Sequence, residues 1–420
     1  MPTDSQSDVA PPTAAQSLTH KARPWAFGLL LMGMVCMGMG QTIVFAVLPP
    51  IARQIGLADR QVGAIFMLSA IFWVSLAPRW GRLSDGRGRR PFILIGIGGF
   101  TVSMVLFATA IRLGMDGVLS GAALYALILS MRSIYGIIGS AQPSAAQAYI
   151  ADRTTAQERT KALANVGAAF GIGAMFGPAF AGATVGFGAL APLYGVAAIG
   201  AAAWLAVFFF LPEHNPPRKR EAPPRVKISD PRLRAFLIFG LVAGAISAVP
   251  VQMIGFYFID ILALSNEEAL AKVSFALTAS AIAGLFAQLV LVRRLSLSPR
   301  TLLRTSPLIL FAAHGLFAVS SSFPMLVLAA TCSGLGWGMA MPGFTAAASL
   351  SVTPREQGVT AGLSNSAGAS GFIIVPPIGF TLYAIDPRAT FILTTLASLA
   401  LIAFVYKNET ISSLKAGAAR

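Results

Sequence analysis

The sequence predicts an all-α polytopic membrane protein, with twelve transmembrane helices arranged as two six-helix pseudo-repeat halves. Three observations lead to this fold class. Hydrophobic residues make up 55% of the 420 residues and charged residues only 11%, whereas a soluble protein has roughly 25% charged residues. Apolar segments of about 20 residues, long enough to cross a bilayer, recur along the chain. The longest polar interruption divides these segments six and six.

The predicted spans are continuously apolar rather than alternating in hydropathy, which excludes a transmembrane β-barrel. The ninth is shorter than the others. The twelve spans lie at about 25–48, 62–80, 91–112, 119–149, 161–185, 190–211, 235–259, 273–292, 306–321, 324–350, 359–385 and 389–406.

Polar segments at the ends and centre of the chain set the predicted domain boundaries. Residues 1–24 are polar and lack a hydrophobic signal core, so we expect a disordered cytoplasmic tail. Residues 212–234 are rich in proline and hold seven Lys and Arg residues, which predicts a solvated cytoplasmic linker. The N-terminal half is therefore 25–211 and the C-terminal half 235–406, followed by a cytoplasmic tail at 407–420.

The net charge of +15 indicates orientation in a membrane rather than nucleic-acid binding. If both termini are cytoplasmic, most of the 31 Lys and Arg residues fall in the inner segments, as the positive-inside rule requires. We therefore expect a multi-pass protein of a bacterial inner (plasma) membrane with no nucleic-acid partner. The two cysteines, Cys36 and Cys332, fall within predicted spans, so packing is expected of them rather than a disulfide or a metal site.

The two halves repeat each other in the segments 143–178 and 342–376. In both, a proline and small residues are followed by a short loop and then by a Gly- and Ala-rich helix that ends in proline. Gly173 and Gly371 occupy matching positions. Such a repeat in a twelve-span protein predicts a secondary transporter whose site lies between the repeats, near the middle of the bilayer.

Residues 81–92, GRLSDGRGRRPF, place a cluster of charge between the second and third spans. Glycine permits a tight turn and arginines anchor a loop at an anionic leaflet, but an aspartate gains nothing from such a surface. The segment resembles the G-x-L-a-D-r-x-G-r-k loop of the major facilitator superfamily. The matching residues are Gly81, Asp85, Arg87, Gly88, Arg89 and Arg90.

This resemblance implies a gating motif. In the family, the aspartate meets the N-terminal end of span eleven when the inner gate is closed, and a helix N-terminus favours a nearby negative charge. Asp85 with Arg89 would then form a conformational latch. If the loop instead only sets the topology, its arginines are explained but Asp85 is not.

Two further segments resemble motifs of the same family. Arg132 followed by Gly136 in span four is similar to the R-x-x-x-G motif. Residues 173–182, GAMFGPAFAG, resemble the antiporter motif of span five, although Ala181 replaces a usual glycine. Its matching residues are Gly173, Gly177, Pro178 and Gly182. With AYIAD at 148–152, the resemblance implies the drug:proton antiporter, tetracycline-efflux-like, twelve-helix subgroup. Tight helix packing alone would also explain the small residues of span five.

Three residues are candidates for proton coupling: Arg132, Asp260 and His314. An arginine near mid-span costs about 2.5–3.5 kcal/mol on insertion scales and normally faces protein or water; the resemblance ties this one to proton handling. Span one holds no Asp or Glu. Asp260 lies near the outer end of span seven, where capping is the alternative role. His titrates near neutral pH, yet a lone His in a membrane is as often a packed residue.

If the family fold holds, spans one, four, seven and ten line a central cavity. Methionine and aromatic side chains there suit a promiscuous site, and a few amides can orient a ligand, although the same residue types also pack between helices. The candidates are Met37, Gln41, Phe45, Tyr135, Gln142, Gln252, Phe256, Tyr257 and Trp337.

The resemblance implies export of a small organic or drug-like compound by proton antiport with alternating access. The alternative is a proton-coupled importer (symporter) of a metabolite or siderophore. An enzyme is not expected, because no nucleophile–base pair, phosphate loop or metal cluster is visible. We expect no cofactor, the proton gradient as energy source, a monomer in the lipid bilayer, and a small-molecule substrate and protons as partners.

Overall fold

The computed structural model describes residues 22–154, 156–212, 226–353 and 356–414, and it describes the side chains of these except at 22–23, 156–164 and 266–267. Most of the predicted N-terminal tail, most of the linker and the end of the C-terminal tail therefore lie outside the described residues. Within them the regular structure is helical throughout and includes twelve helices long and apolar enough to cross a membrane. The predicted fold class is confirmed.

The twelve helices follow the predicted spans, and two carry a π-helical stretch. They are α1 (Ala22–Gln54), α2 (Asp59–Arg87), α3 (Arg90–Met115), α4 (Gly121–Ile134, a π-helical turn Tyr135–Gly139, then Ala141–Asp152), α5 (Ala156–Thr184), α6 (Ala191–Phe210), α7 (Pro231–Leu262), α8 (Asn266–Phe286 with π-helical Ala287–Arg294), α9 (Pro299–Val319), α10 (Phe323–Leu350), α11 (Gln357–Ala369 and Gly371–Tyr383) and α12 (Ala389–Lys407).

Within each half, short connections make consecutive helices run in opposite directions. We call the end of the bundle where α1 begins and α12 ends the terminal face, and the opposite end the distal face. The ninth helix is longer than predicted, because Ser298 caps its N-terminus by accepting a hydrogen bond from Thr301 N at 3.2 Å. Asp230 caps α7 in the same way, accepting from Arg232 N at 3.0 Å.

Glycines let helix backbones approach each other at matching positions in the two halves. A Cβ added at Gly136 of α4 would lie 2.4 Å from the carbonyl oxygen of Ser69 in α2. A Cβ at Gly334 of α10 would lie 1.9 Å from the carbonyl oxygen of Ser280 in α8. Lipid tails are as apolar as the helices, so close packing of this kind, rather than hydrophobic burial, holds membrane helices together.

The antiporter-motif glycines make the same kind of contact between α5 and α1. A Cβ at Gly173 would lie 1.9 Å from the Val35 carbonyl oxygen, and one at Gly177 would lie 2.7 Å from the Met39 carbonyl oxygen. In the second half, a Cβ added at Gly371 of α11 would lie 2.5 Å from the Gly244 carbonyl oxygen of α7. Gly173 and Gly177 therefore pack α5 inside its own half, whereas Gly182 meets the other half, because a Cβ added there would lie 3.4 Å from Ser274 Cβ of α8.

This packing generates a stability prediction with a matched control in the same helix. Gly173→Val forces a side chain into the α1 backbone, and we expect a loss of about 1–3 kcal/mol of stability. Gly171→Val should change stability little, because a Cβ at Gly171 meets nothing within 4 Å. Thermal unfolding of the purified protein in detergent measures both. Equal unfolding temperatures for the two variants would contradict close α1–α5 packing.

Candidate functional site between the two halves

A cluster of four side chains joins the two halves at the distal face. Arg53 at the end of α1 donates from Nη2 to Asp59 of α2 at 2.6 Å and to Asp260 of α7 at 2.8 Å. The Tyr383 hydroxyl, at the end of α11, donates to Asp260 Oδ2 at 2.6 Å. The Arg53 and Asp260 side chains are 23% and 29% exposed, so solvent reaches the cluster from the distal side. We call these four residues the distal ion cluster.

A packed layer lies beneath the distal ion cluster. The Arg53 guanidinium stands 5.1 Å from the centre of the Phe256 ring, in a cation–π arrangement. A Cβ at Gly255 of α7 would lie 2.7 Å from Pro49 Cβ of α1. Phe380 of α11 packs edge-on against Phe256, with ring centres 5.8 Å apart. These contacts bring α1 of the first half against α7 and α11 of the second.

An aromatic layer closes the seam one further turn down. Phe45 of α1 packs edge-on against Phe66 of α2 at 4.7 Å and stacks on Phe372 of α11 at 5.6 Å between ring centres. Phe45, Pro49 and Arg53 follow one another at four-residue spacing, which places them on one stripe of α1. The seam between the halves is therefore closed at its distal end.

Gln41 continues this stripe of α1 toward the terminal face and connects it to Arg132. Arg132 is 1% exposed, and its Nη2 donates to Gln41 Oε1 at 2.8 Å. The rings of Tyr135 and Phe107 lie 4.4 Å and 5.9 Å from its guanidinium carbon. Gln41 itself is half-buried. The predicted candidates Arg132, Gln41 and Tyr135 thus meet at one place.

The gating-motif residues form a second cluster at the terminal face of the first half. Arg89 is buried, pairs with Asp85, and donates from Nε to Asp152 of α4 at 2.9 Å. Arg90 donates to the Phe208 carbonyl oxygen of α6. Gly88 has φ +91°, a conformation open to glycine. A Cβ added at Gly81 would meet nothing within 4 Å. The Arg87 side chain is exposed. The contact of Asp85 with α11 stays a prediction.

Two candidates lie inside the second half rather than at the seam. His314 of α9 is fully buried, with Nδ1 2.7 Å from the Thr394 hydroxyl of α12. Tyr257 donates to the Phe317 carbonyl oxygen at 2.5 Å and its ring packs on Phe391 at 4.4 Å. In this conformation both are packing residues between α7, α9 and α12. Their proton and substrate roles stay predictions.

The remaining cavity candidates differ in how accessible they are. Trp337 is half-buried, and a Cβ at Gly368 of α11 would lie 3.4 Å from its ring. Gln142 is buried against Gly33 and Gly96 of the first half. Met37, Phe45, Gln142, Gln252 and Phe256 are all at most 1% exposed. They stay candidates, and a ligand would need a seam more open than this one to reach them.

Sequence reasoning missed Arg53, Asp59 and Tyr383, which complete the distal ion cluster. The sequence does show charged residues near the ends of several spans. Such charges are ordinarily explained by helix capping, so their position alone did not indicate a contact between the halves. Arg53 and Asp260 are 207 residues apart. Only the packing of α1 against α7 brings them together.

A further ion pair holds two helix ends together at the terminal face of the second half. Arg232 at the start of α7 donates from Nη2 to Glu356, before α11, at 3.0 Å. Hydrogen bonds from Arg232 and then from the Thr353 backbone and hydroxyl lower the pKa of Glu356 to about 2. The same guanidinium lowers the pKa of Asp230. Glu356 is therefore a carboxylate at neutral pH, fixed to its own half.

Comparison with protein families decides the assignment. The profile of the Major Facilitator Superfamily matches residues 30–296 and 262–419. The chain belongs to the Major Facilitator Superfamily. Members of this family are membrane transporters and not enzymes, so the chain is a multi-pass transporter of small molecules.

Relatives of this superfamily member include resistance proteins. The tetracycline resistance protein, class D, of Salmonella ordonez is 29% identical over 372 residues, covering 83% of this chain and 88% of that protein. The multidrug resistance protein 1 of Bacillus subtilis (strain 168) is 26% identical over 407 residues, covering 92% and 97%. The tetracycline resistance protein, class G, of Vibrio anguillarum is 32% identical over 203 residues, and the match spans only about half of either chain, 47% of this one and 48% of that one.

Solved transporters share the fold. A bacterial homologue of the human lysosomal transporter Spinster, in an inward-facing and occupied conformation, superposes with a TM-score of 0.68 at 14% identity, covering 95% of this chain and 98% of that one. The nucleoside transporter NupG superposes with a TM-score of 0.70 at 12% identity, covering 91% and 99%. At these identities the likeness establishes the architecture of this superfamily member alone.

The distal ion cluster predicts that Asp260→Asn weakens closure of the distal seam. Arg53 keeps Asp59 in this variant, so we expect the closed-to-open ratio to fall by about fivefold, roughly 1 kcal/mol for a partly exposed pair. Spin labels at Phe187→Cys and Ile385→Cys, exposed distal positions in different halves, measure the separation by pulsed electron paramagnetic resonance, in a background with Cys36→Ser and Cys332→Ser.

Asp116→Asn is the matched control for this measurement. It breaks an ion pair with Arg112 at the distal face, but both partners lie at the end of α3 in one half. We expect its distance distribution to equal that of the unsubstituted chain. If Asp260→Asn also left the distribution unchanged, the cluster would have no part in closing the seam.

Proposed function

We propose that the chain exports a small organic or drug-like compound in exchange for protons, by alternating access. The observation that carries the proposal is the distal closure by Arg53, Asp260 and Tyr383 above the aromatic layer of Phe45, Phe66 and Phe372. A seam that is tied at one end by a few side chains can open there without disturbing the tightly packed halves. Opening and closing this end alternately would move a bound compound across the membrane.

The charge distribution supports the direction in which this closure acts. The gating loop lies at the terminal face, where α6 also ends and α7 begins, and the sequence between those two helices is rich in Lys and Arg. Positively charged segments stay in the cytoplasm. The distal face would then be external, and the protein would be closed to the outside in the inner membrane of a bacterium, with both termini cytoplasmic.

Asp260 is the proton-coupling candidate that this geometry favours. Its carboxylate binds the Arg53 cation when the seam is closed, and a protonated carboxyl forms no ion pair. Binding of an external proton and opening of the distal seam are therefore linked, since each favours the other. Arg132 stays protonated and would act on a proton only through a neighbour, while His314 is enclosed by α9 and α12.

The names of the relatives support a drug-like substrate. Proteins similar to this chain confer tetracycline or multidrug resistance by name, and the seam residues are aromatic and apolar with a few amides. Export rather than import is the better supported direction. The alternative function is a proton-coupled importer of a metabolite or siderophore, and the transport assay must distinguish it from export.

Substrate-driven proton movement in proteoliposomes tests the proposal. With a tetracycline and dye panel and a pH-sensitive probe, we expect protons to move opposite to the substrate. Asp260→Asn should lose at least about tenfold of this coupled flux, since the linked carboxylate is gone, while Asp116→Asn should keep it. Proton and substrate moving in the same direction would establish the importer and overturn export. If Asp260→Asn moved as many protons per substrate as the unsubstituted chain, Asp260 would not be the proton-coupling residue.

A cross-link tests whether the distal seam must open. Pro49→Cys and Gly255→Cys face each other across the halves, so we expect a disulfide to form when Cys36 and Cys332 are replaced by Ser. The oxidised protein should transport nothing, and a reducing agent should restore the rate. Each single-cysteine variant is the control. Undiminished transport by the cross-linked protein would rule out alternating access through this seam.

A further inference from the structure

Arg132 is a buried cation without a described anionic partner. It makes one hydrogen bond, to Gln41, and its Nε and Nη1 atoms have no hydrogen-bond partner among the described residues. The aromatic faces of Tyr135 and Phe107 offset part of the charge. A buried charge normally has a counter-ion or a full set of hydrogen bonds, so the unused donors need an explanation.

The position of Arg132 leads toward the space between the halves. Its partner Gln41 is half-buried and continues the α1 stripe that meets α7 and α11 through Pro49, Arg53 and Phe45. Four helical residues correspond to about 6 Å, so Gln41 lies one turn below the aromatic layer. Movement of this single amide would expose the guanidinium to a compound held there.

The local helix is built irregularly at this point. A π-helical turn, Tyr135–Gly139, begins three residues after Arg132, and such turns are frequent at functional sites. The turn carries Tyr135, whose ring covers the guanidinium. At the matching position of the second half stands Ala330, so the positive charge comes from one half alone.

We propose that Arg132, which is hydrogen-bonded to Gln41 in this conformation, forms a subsite for the anionic group of an amphipathic organic acid. A guanidinium presents two neighbouring N–H donors in a plane, and this arrangement fits a carboxylate or sulfonate. One oxygen of that group would replace Gln41 Oε1 at Nη2, and a second oxygen would accept from Nη1. The rings of Phe107, Tyr135 and Phe45 would hold the apolar body. The subsite rests on the proposed transport function, because it supplies the substrate class.

Binding to the purified protein in lipid nanodiscs tests this subsite without requiring transport. The probes are two xanthene dyes of similar size and opposite charge, fluorescein and rhodamine 123. We expect Arg132→Gln to weaken fluorescein binding by at least about tenfold, as for loss of a charged hydrogen bond, and to leave rhodamine 123 binding unchanged. Arg132→Lys keeps the positive charge but not the planar pair of donors, so its affinity for fluorescein should lie between those of the unsubstituted chain and Arg132→Gln.

Gln41→Glu gives the sharper test, because it supplies an internal carboxylate to Arg132. If the subsite binds anions, Gln41→Glu should weaken fluorescein binding by a similar factor, while the protein stays folded. Gln41→Ala should not weaken fluorescein binding. If Arg132 only supports α1, Gln41→Glu should bind both dyes like the unsubstituted chain. Loss of both dyes in parallel would likewise overturn the proposal.

A series of anions extends the test beyond one dye. Acetate, benzoate, 2-naphthoate and chloride are compared by the thermal shift that each produces in the unsubstituted chain and in Gln41→Glu. We expect the shift to grow with the apolar body of the acid and to vanish in the variant. Shifts from chloride alone, or equal shifts in both proteins across the series, would contradict an organic-acid subsite. Failure of proton-coupled transport with intact fluorescein binding would instead count against the proposed function only.

Discussion

The absence of a hydrophobic driving force between helices in lipid is the constraint on which this structure depends. Two helices surrounded by hydrocarbon gain little by exchanging lipid contacts for each other, so they associate through close packing. Gly136, Gly173, Gly334 and Gly371 provide it, by letting one backbone lie directly on another. A close approach of two backbones leaves little room for the helices of one half to slide past each other.

The seam between the halves uses a different chemistry. Its contacts are made by side chains, through the rings of Phe45, Phe372 and Phe380 and the ions of Arg53 and Asp260. Arg53 binds a carboxylate of its own half, Asp59, as well as one of the other half. Separation of the halves would leave that cation with one partner, which lowers the cost of opening. If the seam opens and closes as proposed, side-chain contacts of this kind can break and re-form more easily than interlocked backbones.

The two halves differ in sequence at the position of Arg132, the residue on which the proposed subsite depends. Gly136 and Gly334 give α4 and α10 the same close packing in the two halves. Arg132, one turn away from Gly136, has Ala330 at the matching position of the second half. The framework tolerates duplication because packing depends on size alone. A charge in one half alone, by contrast, makes the two halves electrostatically different, and the proposed subsite for an anionic group depends on this difference.

The sequence by itself determined the fold class, the twelve spans and the family, because bilayer thickness fixes the length of an apolar run and because the gating and antiporter motifs are local. It also singled out Arg132 and Asp260, since a charge within an apolar span is unusual wherever it lies. What it could not supply is which distant groups meet. Arg53 binds Asp260, Arg132 binds Gln41, and Tyr257 turns into its own half instead of the seam. Those outcomes depend on the rotation of each helix about its axis, which is set by packing against its neighbours and leaves little trace in a helix that is apolar on every side.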